Sequence, residues 1–212
     1  MTTAATPTTT GTTTWSVDPA HSLVEFAVKH LMISTVKGRF GDVKGTITHN
    51  ESQPTQSKVE IEIATGSIDT RSEQRDGHLR SPDFFDVERF PTMKFTSKRV
   101  EGDINGEFKL IGDLTIRDQT REVTLDAEFQ GRGKDPWGGE RMGFEAKGKI
   151  NRKEFGLSWN QALEAGGWLL GDDIKMTIEV ELVKNASRVP RPAQPPLSTS
   201  AGSTRDARRA GA

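Results

Sequence analysis

The feature that most constrains the fold is an alternation of apolar and polar residues that recurs along the chain. Over residues 174–183, Ile, Met, Ile, Val and Leu occupy every second position, and Lys, Thr and Glu lie between them. This period of two is typical of a β-strand that buries one face. The alternation predicts about eight strands, near residues 23–30, 37–48, 58–68, 92–100, 107–116, 123–129, 142–150 and 174–183.

Short connections between these segments favour an antiparallel barrel, with a β-sandwich as the alternative. Residues 103–106 (Asp-Ile-Asn-Gly) have the composition of a hairpin turn. Closure into a barrel removes unpaired strand edges and turns one face of every strand inward. Gly112 and Gly148 fall on the inward parity, which favours a partly hollow barrel. Further glycines indicate bulges or strong coiling in the second strand, at positions 38, 41 and 45.

One segment, residues 70–95, breaks the alternation and predicts a short helical insertion between strands. Thr70 and Glu73 have the spacing of a capping box. Ser81-Pro82 is typical of a second helix start, so two short helical pieces are expected. Such an insertion either closes the mouth of a pocket or plugs the end of a filled barrel, and composition does not choose between the two. Another helical turn is expected at residues 30–34.

The two ends of the chain differ in composition from its middle. Residues 1–14 are mostly threonine, and residues 186–212 are rich in Pro, Ser, Ala and Arg. Both are expected to be disordered, which leaves one domain over residues 15–185. The C-terminal tail holds five arginines and one aspartate, so the rest of the chain carries a net charge of −5. A mildly acidic domain argues against nucleic acid as a partner.

Targeting and membrane signals are not evident in the sequence. No stretch approaches the ~20 apolar residues that a membrane-spanning helix needs. The N-terminus lacks the basic start and apolar centre of a secretory signal, so a cytoplasmic location is expected. The absence of cysteine excludes disulfides and thiol catalysis.

Catalytic and metal-binding patterns are also not evident. The four histidines, at positions 21, 30, 49 and 78, lie on different faces or in different elements, so they lack metal-ligand spacing. Asp76, His78 and Ser81 are the residue types of a hydrolytic triad, but no nucleophile-elbow motif accompanies them. Phosphate-binding and dinucleotide-binding glycine motifs are lacking as well. We therefore expect no enzymatic activity, no metal and no cofactor.

Five segments together resemble the YceI-like family, bacterial lipocalin-like proteins that bind polyisoprenoid lipids. They follow one another within residues 15–184 and read DPAHSLVEFAVKH (18–30), VKGRF (36–40), RDGHLRSPDFFDVERFPTMKF (75–95), GDLTIRDQTREVTL (112–125) and INRKEFGLSW (150–159). The resemblance implies an extended eight-stranded antiparallel barrel with a helical insertion. It also implies an elongated apolar cavity for the isoprenoid chain of a quinone-like or prenyl-phosphate-like lipid. Many relatives are periplasmic and carry a signal peptide, which this sequence does not show.

The parity of the strands and this resemblance together predict the lipid site. The apolar cavity is expected to be lined by Phe26, Val28, Ile61, Ile63, Leu79, Phe84, Phe85, Met93, Phe95, Phe108, Leu110, Leu114, Leu125, Phe129, Phe144, Trp159 and Met176. Candidates for contact with the lipid head group are His30, Arg75, His78 and Arg152. Each of these four has a structural alternative, namely a hydrogen bond or ion pair within the protein.

Two hypotheses of different classes therefore remain open. In the first, the protein binds or carries an isoprenoid or another long-chain amphiphilic lipid without catalysing a reaction. In the second, a barrel with a filled core uses its surface or its basic tail to contact proteins or acidic membranes in a stress response. Transient membrane contact and a homodimer are compatible with the sequence under either hypothesis. Tryptophan at position 112 or 146 is expected to block lipid uptake only under the first.

Overall fold

The computed structural model describes residues 11–164 and 166–185. Within these residues it contains eleven β-strands and one α-helix, α1 (Glu73–Arg80). No helix in this part of the chain is long and apolar enough to cross a membrane. The strands are β1 (Thr12–Val17), β2 (Leu23–His30), β3 (Ser34–Phe40), β4 (Val43–Asn50), β5 (Lys58–Ala64), β6 (Ile68–Asp69), β7 (Thr92–Gly102), β8 (Glu107–Ile116), β9 (Gln119–Lys134), β10 (Glu140–Asn151) and β11 (Leu170–Lys184).

Eight of the strands form a closed antiparallel barrel. Their order is β1-β4-β5-β7-β8-β9-β10-β11, and pairing of β1 with β11 completes the ring. The other three strands extend the wall at one end, because β2 continues along β11 at residues 170–179 where β1 has left it. The predicted eight-stranded antiparallel barrel with a short helical insertion is confirmed.

The barrel has two different ends. At one end, which we call the helix end, the Arg80 side chain of α1 donates to the carbonyl oxygens of Gly66 (3.0 Å) and Ile68 (2.8 Å) beside β6. At the opposite end, which we call the hairpin end, neighbouring strands are joined by short connections at residues 51–57, 103–106 and 135–139. The predicted turn at 103–106 therefore connects β7 and β8 as expected.

The first strand, β1, was not among the predicted strands, of which the first was near residues 23–30. Thr12, Thr13 and Thr14 were expected in a disordered arm, but they belong to β1 and pair with residues 48–50 of β4. That expectation was wrong because a neighbouring strand pairs with their backbone, which composition does not reveal. The rest of the predicted arm, residues 1–10, and the predicted tail, residues 186–212, lie outside the described residues.

The predicted strand at 37–48 is two strands, β3 and β4, separated at Gly41 and Asp42. Its other glycines do not form bulges, because the pairing is regular at both positions. A Cβ at Gly38 would collide with the Phe26 ring, and one at Gly45 with the Ile61 side chain. These glycines thus provide room for a large residue on the paired strand.

The insertion contains one helix and not two. Ser72, rather than Thr70, is the N-cap residue, and it makes no capping hydrogen bond. Thr70 instead bonds to Asp76, so the predicted capping box was wrong. After Ser81 the chain forms successive turns, in which the N–H groups of Phe85 and Val87 donate to carbonyl oxygens of residues 79 and 80. Residues 31–33 likewise form a turn between β2 and β3, where a helical turn was expected.

Candidate functional site

The inner face of the barrel encloses an apolar cavity of about 470 Å³. Its wall is formed by the barrel strands, by the wall extension at the helix end and by the insertion. The structure places every apolar residue predicted for the lining in this wall, and their contact with a ligand stays a prediction. These residues are Phe26, Val28, Ile61, Ile63, Leu79, Phe84, Phe85, Met93, Phe95, Phe108, Leu110, Leu114, Leu125, Phe129, Phe144, Trp159 and Met176.

Further lining residues were missed although they share the parity of the predicted ones. In β11, for example, Ile174, Ile178 and Val180 lie on the same face as Met176 and line the cavity with it. The alternation was therefore a sufficient signal for them. Others of this kind are Val24, Ile47, Val59, Val123, Ala127 and Ile150. Ala146, the position chosen above for a tryptophan, also lines the cavity.

The insertion covers the helix end of the cavity. Phe84 and Phe85 are 5% and 8% exposed and reach the cavity wall together with Leu79. Phe85 meets the Phe40 ring edge-on at 5.6 Å, and Phe84 lies 5.4 Å from the Trp159 ring, measured between ring centroids. A cavity remains beneath these rings, so the structure favours closure of a pocket over a plug in a filled barrel.

A buried hydrogen-bond network within the insertion fixes α1 to Thr70, the residue that follows β6. The Asp76 carboxylate is buried and accepts hydrogen bonds from the Thr70 hydroxyl (2.5 Å) and the Thr70 N–H (2.9 Å). Arg75 donates through Nε to the same hydroxyl (2.7 Å) and through a terminal nitrogen to the Thr70 carbonyl oxygen (2.8 Å). Arg75, a predicted head-group contact, is thereby fixed at the edge of the cavity.

The two predicted histidines at the helix end both reach the cavity wall. His78 Nε2 lies 3.0 Å from Asp83 Oδ2, and its ring packs edge-on against Phe84 and Trp159 at 5.1 and 4.7 Å between centroids. His30 is the last residue of β2, and its ring makes no hydrogen bond to any residue that the structure describes. His30 is therefore the freer of the two to bind a ligand.

Arg152, the fourth predicted head-group contact, is bound by the protein itself. Its side chain is 3% exposed and donates to the carbonyl oxygens of Gly171 (2.9 Å), Leu157 (2.6 Å) and Trp159 (2.8 Å). A further contact of 3.3 Å joins it to Asp172. Burial lowers the pKa of Arg152 from its ordinary value, and Asp172 opposes that shift. The arrangement ties the segment after β10 to the start of β11.

The hairpin end of the cavity carries polar groups that were not predicted. His49 follows Val43 and Ile47 on the inward parity of β4, and its Nδ1 lies 3.2 Å from the Ser57 hydroxyl. Burial and, more weakly, the charge of Arg132 lower the pKa of His49, although Glu51 opposes them. The His49 ring lies in the cavity wall, which also contains Asn105 and Arg132. Parity alone would have identified His49.

Comparison with known proteins assigns the family. A profile of the YceI-like domain matches residues 15–182. This chain belongs to the YceI-like family. It is 41% identical over 170 residues to a UPF0312 protein of Staphylococcus epidermidis, covering 80% of this chain and 96% of that one. It is 46% identical over 140 residues to Protein YceI of Salmonella newport, covering 65% and 72%.

Solved structures similar to this YceI-like chain share its fold. A YceI protein of Campylobacter jejuni superposes with a TM-score of 0.60 at 34% identity, covering 74% of this chain and 90% of that one. A polyisoprenoid-binding domain from Saccharophagus degradans, implicated in plant cell wall breakdown, superposes with a TM-score of 0.59 over 81% and 98%. At 13% identity, the second comparison supports the barrel architecture alone.

One cluster in this YceI-like barrel has the composition of a metal site. The side chains of Asp18, His21 and Glu181 offer ligand atoms within 4.8 Å of one another. The Arg141 guanidinium binds both carboxylates, at 2.7 Å from Asp18. Hydrogen bonds from Arg141 and His21 lower the pKa of Asp18 to about 2. Because a guanidinium already binds both carboxylates, the arrangement is that of an ion-pair network and not of a cation site.

Gly112 and Gly148 were expected to leave empty space inside the YceI-like barrel, but they do not. A Cβ at Gly148 would lie 2.5 Å from Leu125 Cδ2, and one at Gly112 would lie 2.7 Å from the Phe95 ring and still closer to the Thr96 carbonyl oxygen. The space at each glycine is thus occupied by a neighbour. Tryptophan at position 112 would disrupt the paired strand, so that variant does not test cavity binding, and Ala146 is the better position.

Proposed function

We propose that this YceI-like protein binds one long-chain lipid in its barrel without catalysing a reaction, and that the lipid carries an isoprenoid tail. The observation that carries the proposal is a continuous cavity of about 470 Å³ that is lined mainly by apolar side chains, with polar ones at the helix end and at the hairpin end. Ligand pockets in proteins span roughly 300–1,000 Å³ and are lined mainly by apolar groups. The filled-core alternative expects no cavity of this size.

The energetics of transfer indicate where selectivity arises. Burial from water contributes about 0.8 kcal/mol for each methylene. A polyisoprenoid in a cell starts in a bilayer, however, and moving its tail from one apolar medium to another is nearly neutral. Apolar walls therefore accept the tail without choosing among lipids. The polar groups at the ends of the cavity, together with its length, must distinguish one ligand from another.

We assign the head group to the helix end, beside His30, Arg75 and His78. The His30 ring makes no hydrogen bond to a described residue, and Arg75 is held in place through Thr70. Donors of this kind suit the carbonyl oxygen of a quinone or the oxygens of a prenyl phosphate. Arg152 is a poor candidate, because three backbone carbonyl oxygens and Asp172 already accept its N–H groups.

The first experiment is native mass spectrometry of protein purified without detergent, followed by organic extraction of any bound molecule. A stoichiometric lipid with a prenyl tail would support the proposal and reveal its head group. A ligand-free mass, unchanged after a prenyl quinone or a prenyl phosphate is offered, would refute it and favour the interaction protein with a packed interior.

A matched pair of variants tests whether the cavity is the site. Ala146 lines the cavity, whereas its neighbour Lys147 is exposed on the outer face of β10. Ala146→Trp should fill the lumen and abolish lipid uptake, and Lys147→Trp should leave uptake unchanged. Circular dichroism confirms that both variants are folded. Normal uptake by a folded Ala146→Trp protein would show that the lipid does not occupy the barrel.

A further inference from the structure

The turn between β2 and β3 exposes three large apolar side chains in succession. Leu31, Met32 and Ile33 are 36%, 64% and 82% exposed. Trp168 is 54% exposed and lies close to this turn in space. The N–H of Leu31 donates to the carbonyl oxygen of Leu169, the residue after Trp168 (2.8 Å). We call these four residues, Leu31, Met32, Ile33 and Trp168, the apolar rim.

The turn is held in a backbone conformation that large side chains rarely adopt. Leu31 and Met32 have φ angles of 53° and 60°, in the left-handed region where glycine or asparagine is the usual residue. The N–H of Ile33 donates to the carbonyl oxygen of His30 (3.2 Å), which closes the turn. The fold thus maintains a strained backbone at a place where apolar side chains face solvent.

The apolar rim is continuous with the wall of the cavity. His30 precedes the turn, Leu169 follows Trp168, and both line the cavity together with Leu170. The rim therefore stands at the edge of the helix end, where the head group is proposed to lie. An apolar surface at this position borders the passage between solvent and the cavity.

The charges behind the turn complement those of a lipid surface. Residues 29–37 contain Lys29, His30 and Lys37 and no carboxylate, and both lysines are exposed. The loop that carries Trp168 adds one exposed carboxylate, Glu164. Lysines that flank an apolar tip place their ammonium groups at the level of the lipid phosphates. Tryptophan likewise prefers the boundary between head groups and acyl chains. The rim thus has the chemistry of a segment that inserts shallowly into a bilayer.

We propose that the apolar rim docks the barrel on a lipid bilayer with the helix end facing the membrane, so that the lipid of the cavity passes between the two. This inference rests on the proposed function for its cargo. The docking itself depends only on the rim and its flanking lysines. It requires no membrane-spanning segment, because only the side chains of one turn and Trp168 enter the bilayer.

Flotation of the full chain with phosphatidylcholine vesicles containing phosphatidylglycerol tests the docking. Met32→Asn combined with Ile33→Asn removes two rim side chains while keeping residues that tolerate the turn. Burying two such side chains in the bilayer raises the partition coefficient from water to vesicles about 100-fold. The double variant should therefore bind the vesicles roughly 100-fold more weakly than the unmodified protein. Trp137 is the matched control, because it is 86% exposed but lies at the hairpin end. Trp137→Ser should bind vesicles as the unmodified protein does.

Lipid uptake from detergent solution, without vesicles, separates the two proposals. The rim variant should take up a prenyl quinone normally in detergent and receive it from vesicles much more slowly. The docking proposal is wrong if the unmodified protein does not float with vesicles, or if Trp137→Ser loses as much binding as the rim variant. Absence of uptake in detergent by the unmodified protein would instead overturn the proposed function, whatever the flotation result.

Discussion

Replacing Arg152 with methionine would test whether this residue is structural or contacts the ligand. The variant keeps a long side chain but removes every donor. Three backbone carbonyl oxygens, those of Leu157, Trp159 and Gly171, would lose their hydrogen bonds at a site where the arginine is 3% exposed. Asp172 would keep Lys153 as a partner, at 2.8 Å. The loss of folding free energy therefore comes mainly from buried carbonyl oxygens without a donor, and not from a carboxylate without a partner.

The expected loss of stability follows from those contacts. An unsatisfied buried polar group costs about 1–3 kcal/mol, and removing one partner of a buried charged set costs about 3–5 kcal/mol. Because two of the three bonds are only partly buried, we expect about 3–5 kcal/mol in total. For a domain of this size, that loss lowers Tm by roughly 6–20 °C.

Thermal unfolding followed by circular dichroism measures this effect, and Lys153→Met provides the control. Lys153 is adjacent and also binds Asp172, but its side chain is 44% exposed. An exposed ion pair contributes about 0–1 kcal/mol, so this control should lower Tm by less than about 4 °C. If Arg152→Met instead kept the Tm of the unmodified protein and lost only lipid uptake, Arg152 would be a ligand contact and the structural interpretation would be wrong.

Two further predictions concern the polar networks. Asp18→Asn should lower Tm at pH 7 by about 3–6 °C, because it weakens the ion pair with Arg141. The Asp18 pKa is lowered from 3.8 to about 2, so its stabilisation is complete above pH 3.8 and is lost as the pH falls through 2. The difference between the two proteins should therefore disappear toward pH 2, and a difference that persisted there would contradict this cause. Asp76→Ala should destabilise the insertion by about 1–3 kcal/mol, because it leaves the Thr70 N–H and hydroxyl without their acceptor. Hydrogen exchange at the Thr70 amide should accelerate in this variant but not in the exposed control Glu73→Ala, and equal exchange in both would refute the role given to Asp76.

The barrel could be predicted from sequence because its signal is local and repeated. Each strand alternates independently, and a hairpin turn such as residues 103–106 specifies antiparallel pairing with the next strand. Errors arose where partners decide the outcome. The threonines at 12–14 are ordered by pairing with β4, and Thr70 binds Asp76 instead of capping α1. Neither partner can be read from the segment itself.

The same distinction applies to the candidate site. Parity placed the predicted strand residues in the cavity wall, since parity on a strand fixes the face on which a side chain lies. Leu79, Phe84, Phe85 and Trp159 lie outside the strands, and parity does not predict their position. Polar residues were harder to interpret, because their role depends on the acceptors around them. Arg152 and Arg75 were equivalent candidates in the sequence, and both reach the cavity wall. The structure separates them by their partners, because Arg152 binds two carbonyl oxygens of the loop after β10 and one of β11, whereas Arg75, among the described residues, binds Thr70 alone. The alternation in β4 also places the polar residue His49 on the inner face, so parity could have predicted this residue as well.

The glycines that face large neighbours have a consequence for how the width of this cavity can change. The width of the cavity depends on pairs of facing residues, such as Gly148 with Leu125 and Gly38 with Phe26. In each pair the large side chain occupies the space that a side chain on the glycine would need. Enlarging the glycine alone produces a collision, and shrinking its neighbour alone produces a void. A different cavity width therefore requires both members of a pair to change, and a protein in which only one has changed is less stable. Because two residues must change together, such pairs slow the evolution of the cavity diameter. The polar residues at the ends of the cavity, in contrast, can be substituted one at a time.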